Sequence, residues 1–338
     1  MSSGAKEPSP GLDPRRLVRL MREAVERCRL NLSGATVLTE AATGAYAVTP
    51  VLAALAGASR VYALTRATPY GSVEDVAVGT RQLARLAGVG RHVEVVTERS
   101  RALVARADVV TNSGHVRPID AEMVGWMKPG AVLPLMYEAW EFREGDVDLA
   151  ACRARGIAVA GTHERHPHID VFGFLGLMAV TLLADAGVSA YRGRILLCCD
   201  NRFRPYLEQG LVAAGAEVRT VVQLRQAAPG PCDAVLVAMR PQPQPVLDAR
   251  DAAWLAKHQP GTPVAQYWGD LDRAALAAEG VPVWPPDPPA RGHMGILPSG
   301  VGPEPIVRLQ AGGLKVAEVL RRPPEARRPQ DLEYVQWL

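Results

Sequence analysis

The sequence predicts an α/β protein built from two doubly wound domains with a cleft between them, and three observations carry that reading. Residues 37–64 form a strand–turn–helix–strand unit, the opening of a twisted parallel sheet. Short apolar strands and helical spacings then keep alternating as far as Trp284. At 338 residues and 48% apolar composition, the chain is long enough for two separate cores.

The elements follow in order. Residues 1–12 are polar and small and read as a disordered lead-in. Asp13-Pro14 supplies an N-cap and a first helical residue, and the helix runs to about Arg29 with Leu17, Leu20, Met21, Ala24 and Cys28 on one stripe. The first strand ends at Thr39. The turn Glu40-Ala-Ala-Thr-Gly44-Ala45-Tyr46 leads into a helix marked by Val48, Val51, Leu52 and Leu55 and closed by Gly57. Arg60–Leu64 is the second strand. Ser72 and Asp75 make a capping-box start for a helix through Leu86, which Gly88 ends. Strands at 92–97 and 107–112, a short helix at 100–106, a helix at 120–126 and a strand at 131–136 complete the middle of the first domain. A helix at 146–155 and a strand at 157–160 close it.

The first domain thus spans residues 13–168, and a helix over 169–186 connects to the second, at 191–304. There the strands are 194–199, 217–222, 233–239, 263–267 and 281–284, with helices at 203–214, 246–257 and 270–279 between them. A Pro- and Gly-rich loop precedes a returning helix over 305–320. Gly312-Gly313 inside it signals close packing, with the helix from Ile169 as the expected neighbour. The charged tail ends in an apolar patch, Tyr334 to Leu338, which suits a partner subunit.

Composition excludes several functions. The net charge is +3 with no dense basic run, which argues against nucleic acid. The longest apolar run, 171–184, is too short for a membrane span, and no secretory signal core is present, so the chain reads as cytoplasmic. Five cysteines lack zinc or redox spacing and read as buried thiols. His163, His166 and His168 beside Glu164 could share a metal, but Pro167 breaks any helical presentation and no second ligand cluster exists, so no metal is expected.

A turn that opens such a sheet offers main-chain N–H groups to phosphates, so Glu40, Gly44 and Ala45 are candidate cofactor-binding residues. One glycine stands where a dinucleotide fingerprint has three. Arg66, at the end of the second strand where an acid would bind ribose hydroxyls, favours NADP over NAD. Asn112 and Ser113 leave the carboxyl end of the fourth strand on the ligand-binding side, with His115 and Arg117 beside them. In the second domain Asp200-Asn-Arg-Phe203 takes the corresponding turn without a glycine, so no dinucleotide is expected there.

Ala107-Asp-Val-Val-Thr followed by Met127-Lys-Pro-Gly-Ala-Val-Leu133 resembles the late half of the nucleotide domain of D-2-hydroxyacid dehydrogenases, and ornithine cyclodeaminase-type proteins carry a similar pattern. The resemblance covers under a third of the chain and implies a Rossmann-like fold. It also implies that Arg143 holds a substrate carboxylate, and that His168, in Pro167-His-Ile169, exchanges a proton with Glu164 assisting; His115 is the alternative base. The spacing between Arg143 and His168 is shorter than in that family. The function expected is an NAD(P)-dependent oxidoreductase acting on a small carboxylated metabolite, with NADP or NAD as cofactor. Two alternatives stand beside it: a catalytically inactive Rossmann-like protein that binds a peptide or protein partner in a biosynthetic pathway, and an S-adenosylmethionine-dependent methyltransferase. A homodimer or a protein partner fits the tail.

Overall fold

The computed structural model of the chain describes residues 9–228 and 230–338 and divides into two units, one ending at Val171 and resuming over Gly302–Leu338, the other Phe172–Val301. Of the lead-in expected at 1–12, residues 1–8 lie outside the described residues, and Pro10–Leu12, expected to be disordered, form a 3-10 turn.

The first unit opens with helix α1 (Pro14–Arg27). The Asp13 carboxylate accepts from the amides of Arg15 at 2.9 Å and Arg16 at 3.1 Å, which satisfies two of the orphaned N–H groups of the first turn. Leu17, Val18, Leu20, Met21 and Ala24 face the core, as the helical stripe required. Strand β1 (Thr36–Glu40) does not pass straight into a helix. A 3-10 turn over Gly44–Val48 comes first, and helix α2 (Thr49–Leu55) has only seven residues. Strand β2 (Arg60–Leu64) and helix α3 (Val73–Leu86) follow, with the Ser72–Asp75 capping box formed in both directions. Gly57 and Gly88 end α2 and α3 at φ +93° and +81°, a left-handed conformation that glycine adopts without steric cost.

The unit continues through β3 (Val93–Val96), α4 (Arg101–Val104), β4 (Val109–Val110), α5 (Ala121–Trp126) and β5 (Val132–Pro134). Helix α6 (Leu149–Ala154) and β6 (Ala158–Thr162) bring it to the crossover.

In the second unit the expected connecting helix begins late. Phe172–Phe174 make a 3-10 turn, and helix α7 is Leu175–Asp185. Then come β7 (Arg194–Cys198), α8 (Arg204–Ala213), β8 (Glu217–Val221), β9 (Ala234–Ala238), α9 (Ala249–His258), β10 (Val264–Trp268), α10 (Arg273–Ala278) and β11 (Val283–Trp284). The five strands are parallel in the order β11-β10-β9-β7-β8. Leu196, Val235, Val237, Leu255 and Val264 belong to its core.

The chain then returns to the first unit as helix α11 (Glu304–Arg321), α12 (Pro329–Leu332) and β12 (Val335–Trp337). The first sheet reads β12-β6-β5-β4-β1-β2-β3, six parallel strands with β12 antiparallel at the edge. Both units are therefore doubly wound and Rossmann-like. The order places the switch of winding direction in the first unit between β1 and β4, and there the carboxyl ends of the strands leave a crevice for ligands.

The structure adds to two expectations about the chain's end. The returning helix and tail belong to the first unit. A Cβ on Gly312 would lie 2.4 Å from Ile169 Cδ1 and 3.1 Å from Thr162 Cγ2, and one on Gly313 would lie 2.4 Å from Met136 Sδ. The glycine pair thus lets α11 settle onto β5, β6 and the Ile169 side chain, which precedes α7 and is not part of a helix. The apolar tail also has an intramolecular role. Val335 pairs with Thr162 and Trp337 with Ala160, and Tyr334 and Val335 are buried, while Trp337 and Leu338 are exposed.

All five cysteines are free and buried, and burial raises the thiol pKa of Cys28 to about 11. No helix among the described residues is long and apolar enough to cross a membrane.

Candidate functional site

The Glu40 side chain stands at the centre of the first unit's crevice. It closes β1, is 9% exposed, and its Oε2 accepts from the amide of His115 at 3.1 Å. The same oxygen lies 3.1 Å from where a Cβ of residue 114 would stand, so Gly114 gives the carboxylate its close approach to the loop after β4. Burial raises the Glu40 pKa, and bonding to the His115 and Gly114 amides and the charges of Arg117 and Arg66 oppose that rise.

Arg66, Arg117 and His115 close around it. Arg66 follows β2 and reaches over to the Gly114 carbonyl at 3.4 Å. Arg117 pairs with Asp146 at 2.7 Å, and Tyr137 donates its hydroxyl to the same carboxylate oxygen at 3.0 Å. Burial, then the charge of Arg66, lowers the His115 pKa, so its imidazole is neutral at neutral pH. Behind them Thr111 donates to Thr39 at 2.8 Å. With its proton committed there, Thr111 accepts from Ser113 at 2.7 Å, and all three hydroxyl residues are buried.

Of the residues the sequence singled out, Glu40, Arg66, Asn112, Ser113 and His115 therefore come together at one sheet edge. Gly44 lies in the 3-10 turn at φ +60° with open space where a Cβ would be, and Ala45 is buried beside it. Tyr46 packs against the core. The sequence reading missed Gly114, although it sits between Ser113 and His115, which it did choose.

The other candidates sit elsewhere along the edge. Arg143 is exposed after the 3-10 turn Ala139–Glu141, and its charge acts on Tyr137 and Glu141. His168 is engaged with the tail: its Nδ1 lies 2.5 Å from the Tyr334 hydroxyl, while the His166 ring stacks on Tyr334 at 3.8 Å. Burial, then the neighbouring His168 and His163, pushes His166 down to about 4. The histidine cluster thus forms a seat for the C-terminal strand. Among the described residues no group of three or more His, Cys, Asp or Glu side chains could hold a metal ion.

Glu164 belongs to a group of three carboxylates with Glu138 and Glu141. Arg165 donates to Glu138 at 3.2 Å, and the Trp140 indole donates to its other oxygen. Burial, then the charge of Glu138, raises Glu141 from 4.5 to about 7, and burial, then Glu141 and Glu138, pushes Glu164 well above its ordinary value. A carboxyl whose pKa is higher folded than unfolded holds a proton that the unfolded chain releases. Stability then falls as pH rises from about 4.5 through the folded value near 7. Glu141→Gln should remove that loss. Its stability relative to the parent should grow by on the order of 1–3 kcal/mol from about pH 5 to about pH 8, read by urea unfolding at each pH. A difference that stays flat across the range would rule the buried proton out.

The second unit's turn after β7 is laced to β9. Asn201 donates to the Ala238 carbonyl at 2.7 Å and accepts from the Phe203 amide at 3.0 Å, and Asp200 accepts from the Arg240 amide at 2.9 Å.

No family model matches the chain, and no curated protein matches it. Solved structures do. One component of the dipicolinate synthase of Bacillus halodurans is similar over 87% of this chain and 100% of its own, at 12% identity and a TM-score of 0.54. Its Bacillus subtilis counterpart is similar over 84% and 95%, at 10% identity and a TM-score of 0.51. The NAD-dependent formate dehydrogenase of Staphylococcus aureus, solved with NAD, aligns over 84% and 94% at 14% identity and a TM-score of 0.47. At these identities the similarity shows the fold alone, and it agrees with the Rossmann-like fold expected from the sequence.

Proposed function

We propose that this chain is an oxidoreductase-like protein of dehydrogenase fold whose first unit binds a small carboxylated metabolite between the ends of β1 and β4. The grouping of Glu40, Arg66, His115 and Arg117 at that edge carries the reading. The Arg66 guanidinium, held only by a 3.4 Å bond to the Gly114 carbonyl, suits a carboxylate, while Arg117 is already paired with Asp146. A neutral imidazole and a shielded carboxyl suit proton exchange near neutrality.

The fold suggests NADP or NAD as cofactor, and the residues at the phosphate turns do not fit a dinucleotide. In the first unit the His115 amide is already taken by Glu40, and Pro50 removes a donor from the seven-residue α2. In the second, Asp200 and Asn201 fill the turn with their own side chains. What the first unit's own residues can do is bind the acid and exchange a proton. The same lacing favours a second reading, a binding protein without redox chemistry.

Thermal shift and titration calorimetry with pyruvate, oxaloacetate and 2-oxoglutarate, each with and without NADH, NADPH or S-adenosylmethionine, separate these readings. An acid at 100 times its dissociation constant should stabilise the protein by about 2.7 kcal/mol, and Arg66→Ala should weaken it. A shift with a nicotinamide nucleotide selects the oxidoreductase, and one with the acid alone selects the binding protein. No shift with any acid refutes the assignment of the crevice.

A further inference from the structure

We infer that the C-terminal strand β12 is a proton-sensitive latch on the edge of β6, and that His166 is the group whose protonation loosens it. The inference does not depend on what the crevice binds.

β12 has three residues, so its ladder is short, and the loop after β6 supplies a second hold on the tail. The His163 amide donates to the Tyr334 carbonyl at 2.9 Å, and His163 Nδ1 donates to the Glu333 carbonyl at 2.8 Å. The His166 ring, 6% exposed, lies on the Tyr334 ring at 24° from parallel. One hydrogen bond fixes the protonation state of that ring. The His168 amide donates to His166 Nδ1 at 3.2 Å. A backbone N–H can only donate, so Nδ1 carries a lone pair and the ring proton sits on Nε2. Protonating Nδ1 would set two donors against each other, and the bond would have to break.

The surroundings also disfavour a cation. The centroids of the His168 and His163 rings lie 5.0 Å and 6.4 Å from that of His166. The Tyr334 ring on which the charge would lie already has the Lys315 ammonium of α11 5.8 Å from its centre. The facing carboxylate is Glu333, 3.9 Å from Nε2, but its side chain is 70% exposed and water screens it. Glu164 interacts instead with Glu138 and Glu141, and Asp331 is held by Lys315 and Arg322. Burial, then His168 and His163, therefore keeps the docked His166 at about 4, against 6.5 for a histidine in water. Between those values the opened tail binds a proton that the docked tail does not. Docking is complete above about 6.5 and weakens as pH falls towards 4.

Hydrogen exchange of the amides that pair β12 with β6, followed by NMR and corrected for intrinsic rates, tests the latch in the parent and in His166→Phe. Phenylalanine keeps a ring on Tyr334 and takes no proton. Glu141 and Glu164 titrate in both proteins, so the ratio of the two opening constants isolates His166. That ratio should rise about 25-fold in the parent's favour from about pH 7.5 to about pH 5. Nitrogen shifts of the His166 ring should show the Nε2–H tautomer, still neutral at about pH 5.5. A ratio that stays flat overturns the inference, and so does a His166 ring that titrates near 6.5 in the docked protein. The ring titration uses the parent alone, so it decides the matter if His166→Phe fails to fold.

Discussion

Replacing Lys315 with methionine should destabilise the first unit by about 3–5 kcal/mol, because it breaks a buried ion pair from one side. Lys315 is 2% exposed in the middle of α11. Its ammonium lies 3.0 Å from both Glu318 oxygens, 3.2 Å from the Arg29 carbonyl and 3.4 Å from Asp331. Glu318 also accepts from the Asn31 amide at 2.8 Å, and Arg322 bonds to both acids. One charge therefore ties the loop after α1, the returning helix and the segment leading to β12. Methionine fills much of the volume but leaves Glu318, 4% exposed, with Arg322 alone to balance its charge. Lys315→Met with Glu318→Gln should recover much of the loss, since glutamine still accepts from Asn31 and carries no charge. Burial alone would raise the Asp331 pKa, yet its bond to Arg322 and the charge of Lys315 hold it below the ordinary value. That part of the stability is complete above the unfolded carboxylate value and is lost as pH falls through the folded one. Equal destabilisation in the single and double variants would show that volume, not charge, is what α11 needs at this position.

How far the sequence disclosed this arrangement depends on the range of the interactions. Strand and helix identities were legible because side-chain periodicity is local: α1, α3 and the strands lie within a few residues of their expected bounds. The turn after β1 was legible in its place, since the small residues from Glu40 to Tyr46 and the apolar spacing from Val48 to Leu55 put the helix where α2 stands, but the 3-10 form of Gly44–Val48 had no signature of its own. The discontinuous first unit had no local signature, since β12 meets β6 across more than 170 residues of chain. Gly312-Gly313 announced a close approach, but nothing in the neighbouring sequence says that Ile169 and Met136 supply it. Glu40, Arg66 and His115 were chosen for where they leave their strands, and strand order brought them together. His168 was chosen by motif, and the structure gives it to Tyr334.

Glycine carries the second large prediction, in the other unit. Gly210→Val should cost the second unit about 3 kcal/mol or more, at or beyond the upper end of ordinary overpacking. Helices α7 and α8 cross at Gly176 and Gly210. A Cβ on Gly210 would lie 2.4 Å from Gly176 Cα, and one on Gly176 would lie 2.6 Å from Gly210 Cα and 2.8 Å from the Tyr206 carbonyl oxygen. These are backbone atoms, so no rotamer change can relieve the clash, and the helices must separate. Separation would loosen the buried Leu207 and Leu211 on α8 and strain the bond from the Tyr267 hydroxyl to the Leu175 carbonyl, 3.2 Å long. Gly79→Ala is the matched control, because a Cβ there meets nothing within 4 Å and α3 should gain up to about 1 kcal/mol. Each unit has its own sheet, so calorimetry should resolve two transitions, with Gly210→Val lowering one and Lys315→Met the other. If both variants lower a single shared transition by amounts that add, the cooperative body is the whole chain, and a local clash in one sheet is paid across both.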